Sequence, residues 1–125
     1  MDDDSLQRGI EIWQQMTGGH GDELRDRWAQ LHPDLAEMIV GFVGGNVWTR
    51  PGLDLRTRSL VTIAATTALG RTSALELNIR TALNNGATRD EICETLLHMA
   101  VYAGFPASWD AFVIASKVFA ECEAR

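Results

Sequence analysis

The 125-residue chain is poor in lysine, cysteine, proline and tyrosine, and each scarcity removes a class of explanation. Lys117 is the single lysine beside ten arginines, and the formal net charge is −6. An acidic chain without a lysine-rich patch lacks the electrostatic footprint of a nucleic-acid binder. Cys93 and Cys122 lie far apart with no Cys-x-x-Cys, so redox and zinc motifs lose their usual support; both read as small, half-buried hydrophobes. No apolar run reaches the roughly 18 residues of a membrane span. The start, Met1-Asp2-Asp3-Asp4, is opposite in charge to a secretory leader. A soluble, cytoplasmic protein is expected. Gly-rich phosphate cradles, His-Glu-x-x-His and clustered metal ligands are missing from the sequence, so any catalysis is expected to need neither metal nor cofactor.

What is present has helical period almost throughout. Leu6, Ile10 and Trp13 share a stripe on a helix predicted over Ser5–Met16, ended by Gly18-Gly19. An acidic helix is predicted around Asp22–Leu31, and a third over Pro33–Val43, with Pro33 suited to a first turn and Gly44-Gly45 breaking the pattern. Residues 46–54 read as an ordered loop, with Pro51-Gly52 a turn signal and Asp54 able to cap the next helix. That helix, Leu55–Leu69, carries no charge from Leu60 onward, which suits the middle of a bundle or a contact between subunits. Ser73-x-x-Glu76 and Thr88-x-x-Glu91 are capping-box patterns, for helices to about Asn84 and Ala103. Gly86 and Gly104 end those two helices, and Pro106 opens the last, which carries Trp109, Phe112, Val113, Ser116 and Phe119. The expected fold is all-α, with six or seven helices and short loops. Charge divides the chain: nine acidic residues face three arginines in residues 1–47, while the remainder is balanced.

On the helix after Thr88, the period of 100° per residue gathers Ile92, Cys93, Leu96, Leu97, Met99, Ala100, Val101 and Ala103 into a broad apolar arc. Glu94, His98 and Tyr102 follow one another at i, i+4 and i+8 on the other side. A carboxylate, an imidazole and a phenol in one strip can do acid–base work near neutral pH, or simply form a solvated face. Asn78 borders the apolar face of its helix, either pointing into a pocket or satisfying a backbone group. Arg50, Arg56 and Arg58 fall within nine residues and can hold a small dicarboxylate against Trp48; equally, they suit ion pairs between subunits or a hydrated surface. His20 and His32 read as surface residues.

Four segments carry a family resemblance: Val47-Trp48-Thr49-Arg50-Pro51-Gly52-Leu53-Asp54, Arg58-Ser59-Leu60-Val61-Thr62-Ile63-Ala64, Ala82-Leu83-Asn84-Asn85-Gly86-Ala87-Thr88 and Tyr102-Ala103-Gly104-Phe105-Pro106. Together, in order over about residues 40–120, they resemble the carboxymuconolactone decarboxylase family, of the alkylhydroperoxidase D-like fold. The resemblance implies one domain over 1–125, with acidic N-terminal helices at 1–43 and the family core at 44–125. It implies a homo-oligomer, a trimer or hexamer, with pockets near subunit contacts, no membrane or nucleic-acid partner, and a small anionic substrate.

Members of the family convert 4-carboxymuconolactone to the 3-oxoadipate enol-lactone without a cofactor. On that analogy Arg58 and Arg50 hold anions, His98 or Tyr102 moves a proton, Asn78 stabilises the oxyanion, and Trp48, Glu94 and Trp109 shape the pocket. Two departures stand out. The thiol peroxidase branch has Cys-x-x-Cys-x-x-x-His where this chain has Arg71, Ala74 and Asn78, which excludes thiol chemistry there. The decarboxylases usually carry histidine at the position of Asn78, and an amide donates a hydrogen bond but shuttles no proton. The alternatives are a diverged member performing a related proton-transfer, lactone or enol step in secondary metabolism, or a non-catalytic binder of small ligands.

Overall fold

The computed structural model describes residues 1–123 and contains seven helices and no strand among them. The last two residues of the expected 44–125 core, 124 and 125, lie outside the described residues. The chain falls into two compact units, one covering Met1–Asp54 and the other beginning at Leu55.

In the first unit α1 (Ser5–Met16) is followed by α2 (Gly21–Leu31) and α3 (Pro33–Glu37), which continues directly into a π-helical stretch, Met38–Trp48. His32 caps α3 through its Nδ1, which accepts a hydrogen bond from the Asp34 amide at 3.0 Å, and Pro33 takes the first turn. Gly44-Gly45 does not break the helix as the sequence suggested. Both glycines are buried inside the π stretch, and three residues of the expected 46–54 loop remain helical. The reason is close packing against α1. A Cβ on Gly45 would collide with the Ser5 carbonyl, and one on Gly9 with the Val40 carbonyl. A polar knot closes the same seam: Ser5 Oγ donates to Asn46 Oδ1 at 2.6 Å, and Arg8 reaches the Gly45 carbonyl at 3.1 Å, Asn46 and Asp2.

The second unit consists of α4 (Leu55–Leu69), α5 (Thr72–Asn84), α6 (Arg89–Tyr102) and α7 (Phe105–Glu123). Each of α4 and α7 packs on both α5 and α6. Ile63, Leu75, Ile79, Ile92, Leu96, Ala111, Ala115 and Val118 fill the centre, and each large aliphatic chain buried there contributes about 1.5–3 kcal/mol. The Thr88–Glu91 capping box forms as the sequence indicated, and Gly86 and Gly104 both adopt φ 96° after their helices. The Ser73–Glu76 box does not form. Helix α5 starts two residues earlier than that box implies, with Arg71 at the N-cap and no side-chain cap, and Glu76 instead binds Lys117 at 2.7 Å. Cys93 and Cys122 are free and half-buried, packed against the core.

Helix α4 is not central within its own unit. Ser59, Ile63 and Thr67 form its buried stripe, while Val61, Ala65, Ala68 and Leu69 are exposed. No helix among the described residues is long and apolar enough to cross a membrane.

Candidate active site

Helix α6 supplies the strip anticipated from the sequence, and its start explains why the strip is well placed. Glu91 receives the Thr88 amide at 2.9 Å and pairs with Arg56 of α4, which ties the N-terminal ends of α4 and α6 together. The two helices therefore run side by side, and two turns further on Ala64 of α4 meets Glu94, Thr95, Leu97, His98 and Met99 around a wide, shallow hollow of about 540 Å³. The rings of His98 and Tyr102 lie 5.0 Å apart between centroids, tilted by 43°. Tyr102 is 74% exposed, one turn beyond the hollow. A carboxylate, an imidazole and a hydroxyl thus line one open depression, and the phenol leans against the imidazole at a tilt.

The other anticipated residues lie elsewhere in their units. Arg58 is half-buried near the start of α4 and is not part of the lining of this hollow. Asn78 is buried on α5, and its Nδ2 donates to the Ala74 carbonyl at 2.8 Å, using one of its two N–H donors on its own helix. Trp109 is exposed on α7, where Phe105, Trp109 and Val113 form one apolar stripe at i, i+4 and i+8. In the first unit Trp48 is buried, and Arg50 is exposed, with its amide bonded to the Val47 carbonyl. Two residues around the hollow, Ala64 and Thr95, carry no signal that singles them out in the sequence. Among the described residues no three His, Cys, Asp or Glu side chains gather closely enough to hold a metal ion.

Comparison with known proteins gives consistent matches. The family model for the carboxymuconolactone decarboxylase family matches residues 33–117. The chain is 40% identical over 119 residues to the 4-carboxymuconolactone decarboxylase of Acinetobacter baylyi, covering 94% of this chain and 89% of that one. It is 43% identical over 83 residues to the nitrosuccinic acid decarboxylase of Metarhizium robertsii, covering 65% and 57% of the two chains. An uncharacterized 15.0 kDa protein of Paracoccus denitrificans is 43% identical over 94 residues, 74% of this chain and 70% of that one. With a helical bundle, a matching family model and a relative aligned almost end to end, this chain belongs to the carboxymuconolactone decarboxylase family.

Proposed function

We propose that this chain is a carboxy-lyase acting on a small anionic lactone, 4-carboxymuconolactone or a close analogue, and that it does so without a cofactor. The observation that carries the reading is the 40% identity to a decarboxylase of that substrate across 94% of the chain. Helix α6 offers groups suited to the chemistry. As the C–C bond to the carboxylate breaks, its electron pair passes through the conjugated ring to the lactone carbonyl oxygen and CO2 departs. The resulting enolate takes a proton at carbon. His98 as imidazolium is the donor in this scheme, Glu94 stabilises its charge from one turn away, and Tyr102 or the Asn78 amide donates a hydrogen bond to the enolate oxygen. Arg58, near the start of α4, is the candidate for the carboxylate that is retained, and Trp109 of α7 the candidate for a wall against the ring.

The assembly proposed with this function is a homo-oligomer, a trimer or hexamer. Val101 is 76% exposed, Phe105 78% and Trp109 72%, and Val61, Leu97 and Val113 are also largely open. Large apolar side chains exposed at this density on α4, α6 and α7 suit coverage by a second copy, which would also close the hollow beside His98 and exclude water from it. Sedimentation equilibrium checks this. Val101→Asp with Phe105→Asp is expected to yield a smaller species, and an unchanged mass would overturn the interface.

The activity test follows the ultraviolet change of 4-carboxymuconolactone together with CO2 release. Turnover supports the reading, and its absence at high enzyme concentration opposes it. The nitrosuccinic acid decarboxylase match favours a second reading, because a nitro group can accept the electron pair as a lactone carbonyl does. Nitrosuccinate turnover without lactone turnover would select it, and Asn78→His gaining lactone turnover would trace the difference to that position.

A further inference from the structure

The two helices that border the hollow beside His98 are held together at an apolar place and at a charged one. On the inner side, Ile63 of α4 and Ile92 and Leu96 of α6 are fully buried in one core cluster. On the outer side the Arg56 guanidinium lies side-on to the Glu91 carboxylate: Nε donates to Oε1 at 3.2 Å and Nη2 meets Oε2. Apolar burial draws the helices together but is non-directional, so it specifies the separation of their outer edges only weakly. A two-point fork between a planar guanidinium and a planar carboxylate is directional.

Glu91 is the node through which that fork reaches the hollow. Its Oε1 also accepts from the Thr88 amide at 2.9 Å, and Thr88 Oγ1 accepts from the Glu91 amide at 3.1 Å, so the carboxylate is seated on the first turn of α6. The Glu91 carbonyl accepts from Thr95 Oγ1 at 2.9 Å, and Thr95 lines the hollow. Neither Arg56 nor Glu91 lines it. Arg56 lies eight residues before Ala64 and Glu91 seven before His98, each close to two helical turns, or about 10–12 Å. The fork therefore pins α4 and α6 at nearly the same height above the hollow, whose two walls carry Ala64 and His98.

We infer that Arg56 is a positioning residue of this site, a role that rests on the decarboxylation proposed above. Arg56 touches no substrate. Through Glu91 it sets the gap between Ala64 and His98, and with it the distance over which His98 delivers a proton to the enolate carbon. A misplacement of about 1 Å at such a place costs on the order of 10²-fold in rate. The pair is half-exposed, and pairs of that kind contribute little to stability, so rate and melting separate here. Lysine, a point charge on a flexible stem, does not reproduce the fork.

Arg56→Met and Glu91→Gln in the full chain test the inference. Glutamine keeps the capping acceptor on α6 but replaces one oxygen by an amide, which cannot accept from Arg56. Each variant is expected to lower kcat on 4-carboxymuconolactone about 10- to 100-fold, with KM within about threefold and Tm nearly unchanged. Arg56→Lys is expected to recover only part of kcat, and the double variant to be no worse than either single one. The pH dependence of kcat separates geometry from field. Loss of a cation and loss of an anion move its midpoint in opposite directions if the pair acts by charge, whereas lost positioning lowers kcat alike in both and leaves the midpoint in place. The His98 ring signal in a carbon–proton NMR spectrum is expected to move in both variants and to stay in Lys117→Met. That signal does not depend on turnover, so a parent inert toward the lactone would remove the reaction while the ring still decides the positioning. A ring signal unmoved in both variants, kcat within a few-fold of an active parent in both, or midpoints displaced in opposite directions would each overturn the role of Arg56.

Discussion

The two units use their polar and small residues in opposite ways. In Met1–Asp54, glycines bring α1 against the π stretch, and Ser5, Arg8, Asn46 and Asp2 spend their hydrogen bonds on one another. The Arg8 guanidinium beside Asp2 holds the Asp2 carboxyl well below the usual carboxylate range. In the unit from Leu55 onward, Glu94 and His98 line an open hollow and a row of large apolar side chains faces outward. The first unit satisfies its polar groups internally, although it too exposes large apolar side chains, Leu31, Met38 and Phe42 among them. The second leaves polar groups and apolar side chains open to something outside the chain, which is where a reaction and an assembly can be accommodated.

That contrast is sharpest if chemistry and stability separate on mutation. His98→Ala is expected to lower kcat about 10²- to 10⁴-fold with little change in Tm, since the imidazole is exposed and packs mainly on Tyr102. A kcat within a few-fold of the parent would remove His98 from proton transfer. Gly45→Ala is expected to do the reverse, costing about 1–3 kcal/mol or more because the added methyl has only the Ser5 carbonyl to displace. An unchanged urea midpoint would mean that the seam between α1 and the π stretch is looser than its glycines imply. Next in size, Arg58→Ala is expected to raise KM about tenfold while kcat holds, as removal of an anion contact made equally in ground and transition states should.

How much of this was legible beforehand depended on the range of the interaction. Thr88 and Glu91 cap their helix through residues three apart, and Glu94, His98 and Tyr102 align by helical period alone, so both patterns stand in the sequence as local facts. Gly44-Gly45 looks the same whether a helix stops there or another helix presses against it. Ser5, Gly9 and Trp13, some 31–40 residues upstream, decide between the two. The fork between Arg56 and Glu91 joins residues 35 apart on two helices, so nothing in the neighbourhood of either announces it. Arg58 on α4 and Asn78 on α5 sit on different helices from His98, and neither lines the hollow that His98 does, a separation that no local pattern encodes.

The smallest expected effect concerns the charged surface of the second unit. Lys117 Nζ lies 2.7 Å from Glu76, which Arg80 also approaches at 3.7 Å. The hydrogen bond from Lys117 holds the Glu76 carboxyl below its ordinary value, with burial opposing and Arg80 assisting, and the same bond raises the Lys117 ammonium. A depressed carboxylate adds stability that is present above its unfolded pKa of about 4.5 and is lost as pH falls through the lower folded value. A raised ammonium adds stability that is present below about 10.5 and is lost as pH climbs through the higher folded value. Lys117→Met should therefore lower Tm slightly and evenly across neutral pH, with the gap closing at both extremes. Solvent screening keeps it well below the Gly45→Ala effect, and added salt should shrink it further. A gap that persisted below pH 3 would trace the loss to the packing of the lysine stem on α7 rather than to its charge.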